Sequence, residues 1–279
     1  MSSQATEQPP IVIEPPRGLP SLGLGELLRY RELVWFLAWR DVKVRYRQAM
    51  LGVLWVLIQP LGAMAIFSVV FGRLARMPSD GAPYPLFAYA ALLPWQLFAR
   101  ALTDASDSLV VNKNLITKVY FPRLTVPLAT ILAGLLDFTI ALIGFLGLLV
   151  AWRVSLTLRL LLLPALALLA AAIALGAGLW LSALNVRFRD VRYTIPFLTQ
   201  VGLFATPVVY PESLVPERWR AVFALNPMVG VIGSFRWALL GTEAPGAATL
   251  AVSLASAVVL LATGALYFRA TEASFADTV

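Results

Sequence analysis

LTVPLATILAGLLDFTIALIGFLGLLVAW, residues 124–152, contains one ionisable side chain, Asp137, in a run otherwise made of apolar, glycine, threonine and proline residues. About 20 apolar residues cross a hydrocarbon core of ~30 Å, so this stretch alone places the chain in a bilayer. Working outward, comparable stretches recur at 51–72, 86–99 and onward, 160–186, 193–210 and 244–268. Together they predict an all-α polytopic membrane protein with six transmembrane helices. A further stretch, 221–235, is shorter and ends at Arg236. That length suits a re-entrant hairpin between spans five and six better than a full crossing.

Composition agrees. Hydrophobic residues make up 59% of the 279 and charged residues only 13%, against roughly 25% charged in an average soluble domain. Mean hydropathy is +0.80. Histidine and cysteine are absent, which excludes thiol nucleophiles, disulfides, Cys/His metal sites and imidazole acid–base chemistry. In a membrane chain the net charge of +7 matters through its location rather than its sum, so it is not read as a nucleic-acid signal.

Residues 1–22 are proline-rich and lack a cationic segment ahead of an apolar one, and read as a disordered cytosolic tail rather than a cleavable signal. Residues 23–48 read as an amphipathic helix. Leu24, Leu27, Leu28, Val34, Trp35, Ala38, Trp39, Val42 and Tyr46 fall on one side and Arg29, Glu32, Arg40, Lys43 and Arg47 on the other. Such a helix lies in the membrane interface, with its cationic face towards lipid phosphates. Arg31 and Arg45 intrude on the apolar side and are expected to snorkel. The basic cluster just ahead of the first span puts the N-terminus in the cytoplasm. Six spans return the C-terminus, 271–279, to the same side.

No Gly-x-x-x-x-Gly-Lys-Ser/Thr loop occurs, nor any Gly-Lys pair, so energy from ATP would have to come from another polypeptide. Two internal loops are placed to receive it. The first, 112–123, is polar and ends at Pro122-Arg123; the second, 185–192, is a short basic turn. On composition alone both read as connectors that set topology. Asp137 is expected to hydrogen-bond a neighbouring helix. Arg100, Asp104 and Asp107, at helical spacing, are expected to form a self-paired patch near the cytosolic interface. Acidic residues in the external segments are too scattered for a metal-dependent glycan transferase, so the enzyme reading is weak.

Several long strings carry a more specific signal. LAWRDVKVRYRQAMLGVLWVLIQPL, FAYAALLPWQLFARALTDASDSLVVNKNLITKVYFPR, LNVRFRDVRY and LNP together resemble the type-two ABC exporter permeases that move polysaccharides such as O-antigen, capsule-like glycans and teichoic acids. The likeness runs from about residue 30 to 270; the tail and the C-terminal EASFADTV lie outside it. It implies a homodimer joined to two ATP-binding subunits that carry the ATP and Mg²⁺, with no cofactor or metal in this chain. The amphipathic segment becomes an interface helix.

A coupling helix is implied at about 112–121, using Asn112, Lys113, Asn114, Leu115, Ile116, Lys118, Val119, Tyr120 and Phe121, with Arg187, Arg189 and Asp190 from the second loop. Short gate helices are implied at about 210–240, with Tyr210, Trp219, Phe223 and Asn226 as gate residues. The cargo implied is a glycan on a polyprenyl diphosphate, moved through a transmembrane permease domain, 49–270. Its path is expected along spans one and five, past Trp55, Gln59, Phe67, Phe71, Gln200, Phe204 and Tyr210, with Pro60 and Pro196 as kink points. Arg40, Lys43 and Arg47 are candidates to receive the diphosphate. A type-two permease for a drug or small lipid shares this architecture and would show an apolar, closed cavity instead.

Overall fold

A computed structural model describes residues 24–47, 52–188, 190–272 and 275. The expected tail 1–22, most of 271–279 and Arg189 lie outside the described residues. Those described are all helix, turn and loop, with no strand among them. Two segments, α1 (Leu24–Arg29) and α2 (Arg31–Arg47), precede α3 (Leu54–Phe67), which runs on into a π-helical segment, Ser68–Leu74. Then come α4 (Tyr84–Val111), α5 (Lys113–Lys118), α6 (Thr125–Ala151), α7 (Leu163–Arg187) after a 3₁₀ turn at Leu158–Leu162, α8 (Val191–Ala205), α9 (Glu217–Ala224), α10 (Pro227–Leu240) and α11 (Ala247–Thr271).

Four of these segments are long and apolar enough to cross a membrane: Leu54–Leu74, Thr125–Ala151, Leu158–Arg187 and Ala247–Thr271. The α9–α10 pair, bent by 101°, makes up to five. The protein is therefore a multi-pass membrane protein. At 28 residues, α4 is ~42 Å long, but it carries Arg100, Asp104 and Asp107. At 15 residues, α8 is short for a crossing.

Helix α4 is the centre of the bundle. Leu86 through Leu93 are all within 2% of full burial, packed among α3, α6, α7 and α10. Tyr89 stacks on Phe145 of α6 with centroids 4.7 Å apart, and Phe138 meets Phe235 of α10 edge-on. Helices α7 and α11 approach through glycines: a Cβ on Gly176 would lie 2.5 Å from the Leu260 carbonyl carbon. Gly176→Val is therefore expected to force the pair apart, at about 1–3 kcal/mol, read as a lower melting temperature in detergent. Gly147→Val, with nothing within 4 Å of its Cβ position, should melt as the parent does.

A second core lies at one end of the bundle, here called the base. Val34, Leu37 and Ala38 of α2 pack there with Leu109, Ile116, Phe121, Leu124, Leu179 and Phe268. Arg269 of α11 bonds Glu26 of α1 at 3.2 Å and Glu272 at 2.9 Å; Arg123 also donates to Glu272. The start of the described chain and its end thus share one side. The apolar stripe of α2 divides in two. Val34, Leu37 and Ala38 face protein, whereas Trp35 and Trp39 stay 66% and 55% exposed.

Contacts along α4 give the course of the later helices. Arg192, at the start of α8, pairs with Asp107 at 3.5 Å. Gly202 lies against the Trp95 ring, and the Tyr84 hydroxyl donates to Val209 O at 2.7 Å. From Asp107 to Tyr84 is ~35 Å of helix, so α8 and the turn after it run almost the full length of α4. Helix α10 starts level with Ser253, whose hydroxyl donates to Pro227 O at 2.6 Å, only ~9 Å inside the start of α11. It then heads back outward, with Gly233 against Pro245.

Candidate functional site

Helices α3, α4 and α8 enclose a cleft of about 520 Å³. Its walls carry Gln59, Ala63 and Phe67 from α3, Leu92, Trp95, Gln96, Ala99 and Arg100 from α4, and Thr199, Gln200 and Leu203 from α8. Three of the expected path residues, Gln59, Phe67 and Gln200, therefore meet in one place. Phe71 meets Phe67 edge-on at 5.7 Å but packs towards Tyr84 and Phe87. Trp55 and Phe204 are about half exposed and do not line the cleft.

Gln96 and Thr199 were not singled out by sequence, although Gln96 lies one turn before Arg100 in an otherwise apolar run, and Thr199 adjoins Gln200. Amides and a hydroxyl offer hydrogen bonds that lipid cannot, while Phe67 and Trp95 offer flat apolar faces. The arrangement suits a ligand with both hydroxyls and apolar ring faces.

Beyond Gln59, Gln96 and Arg100 the cleft wall reaches a small cavity of about 40 Å³ beside Asp137. Asp137 is 3% exposed. Its Oδ2 accepts from Arg45 and, at 3.0 Å, from Arg100, and its Oδ1 accepts from the Tyr46 hydroxyl. Arg45 also donates to Asp104 at 3.0 Å. Two expectations are corrected here. Arg45 does not snorkel but turns inward, because two carboxylates offer it better partners than the headgroup region does. Arg100, Asp104 and Asp107 do not pair among themselves: Arg100 goes to α6, Asp104 to α2, and Asp107 to Asn185 at 2.9 Å and to Arg192. The Tyr46 phenol is pushed up to about 12 by burial and by its bond to Asp137, so it remains a neutral donor.

At the base, Arg40 donates to Asp41 and, at 2.8 Å, to Asn112. It links α2 to the loop before α5, whereas Lys43 and Arg47 are exposed. Helix α5 covers Lys113, Asn114, Leu115, Ile116 and Lys118 but stops short of the expected 121. Val119 is already extended at φ −131° and ψ 133°; the β-branched residue and the approach to Pro122 oppose further helix. Ile116 and Phe121 are 5% exposed, whereas Val119 is 53% and Tyr120 90% exposed. The stretch is thus pinned by two apolar anchors and presents Tyr120 with Lys113, Asn114 and Lys118 outward. In the second loop Arg187 lies over the Phe188 ring at 5.5 Å, and Asp190 is exposed at the start of α8.

At the opposite end, Asn226 caps α10, accepting from Met228 N at 3.0 Å and donating to Thr206 at 2.8 Å. Tyr210 meets Phe223 at 6.5 Å and donates to Phe204 O at 3.1 Å. Trp219 stands apart, half exposed. Arg236, 5% exposed, donates to Val208 O at 2.7 Å and to Phe87 O and Tyr210 O, with its guanidinium 3.5 Å above the Phe87 ring. It anchors the turn after α8. Burial pushes the Glu212 carboxyl up, opposed by Arg220 and reinforced by Glu243.

Residues 32–240 match the family described as ABC-2 type transporter. The chain is 30% identical over 256 residues to an O-antigen export system permease protein RfbA of Myxococcus xanthus, an alignment covering 91% of this chain and 98% of that protein. A Klebsiella pneumoniae protein of the same name is 28% identical over 71% of this chain and 76% of its own length. The polysialic acid transport protein KpsM of Escherichia coli is 23% identical over 77% and 82%.

Proposed function

The chain belongs to the ABC-2 type transporter family, and on that premise we propose that it is the membrane subunit of an ATP-driven exporter of a lipid-linked, O-antigen-like polysaccharide. The cleft of α3, α4 and α8 carries this reading. Gln59, Gln96, Thr199 and Gln200 give it hydrogen-bonding groups at membrane depth, where sugar hydroxyls would otherwise have none. A wholly apolar drug would leave them unpaired. The names of the relatives, two O-antigen permeases and a polysialic acid transporter, point to the same cargo class.

Six spans, α3, α4, α6, α7, α8 and α11, cross the inner membrane of a bacterium, with both termini cytoplasmic. The Arg269–Glu26 pair supports an even number. The run of α8 along α4 and the shallow start of α10 support α8 as the fifth span and α9–α10 as re-entrant gate helices. Helix α2 is the interface helix, its Trp35 and Trp39 set in the headgroup region and its Lys43 and Arg47 towards the lipid diphosphate.

A homodimer closes the cleft into a conduit. Only 11% of the apolar stretch of the Leu54–Leu74 span is buried, and Tyr193, Phe197 and Leu198 of α8 are 52–78% exposed. These rims are apolar surfaces for a second copy to cover. ATP and Mg²⁺ belong to two separate ATP-binding subunits, which bear on α5. A push there passes through Asn112 directly into α4, the helix that carries Gln96 and Arg100.

Deleting the gene tests the reading. The mutant cell is expected to lose its surface polysaccharide and to accumulate the lipid-linked glycan on the cytosolic side, with both reversed by the intact gene. Unchanged surface polysaccharide would overturn it. Glycan transfer by the purified chain without an ATPase would favour an enzyme instead.

A further inference from the structure

Arg100 stands where the cleft meets the buried ion pairs, and the export reading leaves it without a role. Asp137 does not depend on it, since Arg45 already occupies Oδ2 and Tyr46 occupies Oδ1. Arg45 is itself balanced by both Asp104 and Asp137. Arg100 therefore holds only a shared carboxylate. It uses one N–H group on Asp137 out of the five a guanidinium offers, and among the described residues no other acceptor takes the rest. Its side chain is 39% exposed and forms part of the cleft wall.

Along α4 it lies ~24 Å from Tyr84 and ~16 Å from Val111, midway along a helix that the proposed topology sets across the bilayer. A guanidinium at that depth is costly unless paired or bound to a ligand, and Asp137 meets only one of its N–H groups. Asp137 fixes its direction, and Gln59, Gln96, Thr199 and Gln200 surround it with groups that match hydroxyls.

We propose that Arg100 is an anion-binding residue inside the membrane, whose planar fork takes two oxygens of a phosphoryl group while the neighbouring amides hold the adjoining sugar. Guanidinium geometry matches phosphate in this two-pronged way. The identity of the ligand as the diphosphate of a lipid-linked glycan rests on the export reading; the site itself rests only on α4 being a span. Asp137 is a positioning residue for it, and the site is separate from the exposed Lys43 and Arg47 of α2.

The test is equilibrium binding to the transporter complex in nanodiscs, using radiolabelled polyprenyl diphosphate with inorganic diphosphate as competitor. Arg100→Gln is expected to weaken polyprenyl diphosphate binding about tenfold or more, as loss of a charged hydrogen bond does. Its melting temperature should fall only slightly, because Asp137 keeps Arg45 and Tyr46 as partners. Arg100→Lys, which keeps the charge and the Asp137 contact but loses the fork, should bind with intermediate affinity, and it carries the test if the glutamine variant is poorly folded. Competition by inorganic diphosphate that disappears with Arg100→Gln identifies phosphate chemistry alone as the ligand; weakened polyprenyl diphosphate binding in Arg100→Gln without competition in the parent identifies the lipid-borne headgroup. Parent-like affinity in both variants would overturn the site. That failure is distinct from failure of the export reading, which the deletion experiment measures without any binding step.

Discussion

Asp137→Leu is expected to release α2 from the bundle. The substitution leaves Arg45 with Asp104 alone and leaves the Tyr46 hydroxyl and Arg100 without the carboxylate they share. Removing one partner of a buried ion pair costs about 3–5 kcal/mol, because the remaining charge stays desolvated. The loss should appear as a fall in melting temperature and as new tryptic cleavage at Lys43 and Arg47, since the apolar contacts of Val34, Leu37 and Ala38 cannot hold the far end of α2 alone. Asp137→Asn keeps an acceptor oxygen and should lose less.

The double variant Arg45→Leu with Asp137→Leu provides the internal check. It deletes the pair rather than half of it, a change that is often close to neutral. It also leaves Arg100 and Asp104, at i and i+4 on α4, free to pair with each other. Recovery of the melting temperature in the double variant identifies the charge imbalance as the cause. If Asp137→Leu melts and cleaves like the parent, Asp137 does not hold α2.

How much of this was legible in the sequence follows the physics of each signal. Hydropathy reports helices that face lipid, so α3, α6, α7 and α11 emerge from apolar runs alone. Helix α4 is legible only as far as Ala99, because its lower half trades apolar residues for charges that meet partners from other helices. Periodicity identified α2 as amphipathic but could not divide its apolar stripe between protein and surroundings: Trp35 and Ala38 fall on the same side of a helical wheel, yet one is 66% exposed and the other 4%.

The ion pairs were beyond reach for a related reason. Arg100 and Asp104 have the spacing of a local pair, and spacing carries no information about Asp137, thirty-seven residues away in the chain. The same limit applies to the cleft. Gln59, Phe67 and Gln200 could be singled out as polar or aromatic residues in spans, but Gln96 acquires meaning only once α4 is seen to lie between α3 and α8. The π-helical continuation at Ser68–Leu74 left no trace in residue pattern.

Tyr120→Ala is expected to uncouple the chain from its ATP-binding partner without touching its fold. At 90% exposure the ring makes almost no contribution to the bundle, and surface replacements of this kind usually stay within about 0.5 kcal/mol. An aromatic side chain held out two residues after Lys118, on a stretch pinned by Ile116 and Phe121, has the character of an interface anchor, for which truncation costs about 2 kcal/mol or more of binding. That is roughly a thirtyfold loss of affinity. The altered chain should enter the membrane and melt as the parent does, fail to retain the ATP-binding subunit during purification, and leave the surface polysaccharide absent. Ile116→Ala provides the contrast. Its side chain is 5% exposed in the base core, so its effect should begin with about 2–5 kcal/mol of lost stability and reach the partner only through the displaced α5. Retention of the ATP-binding subunit by Tyr120→Ala at parent stoichiometry, with export intact, would remove α5 from the coupling path and leave 185–192 as the remaining candidate at the base.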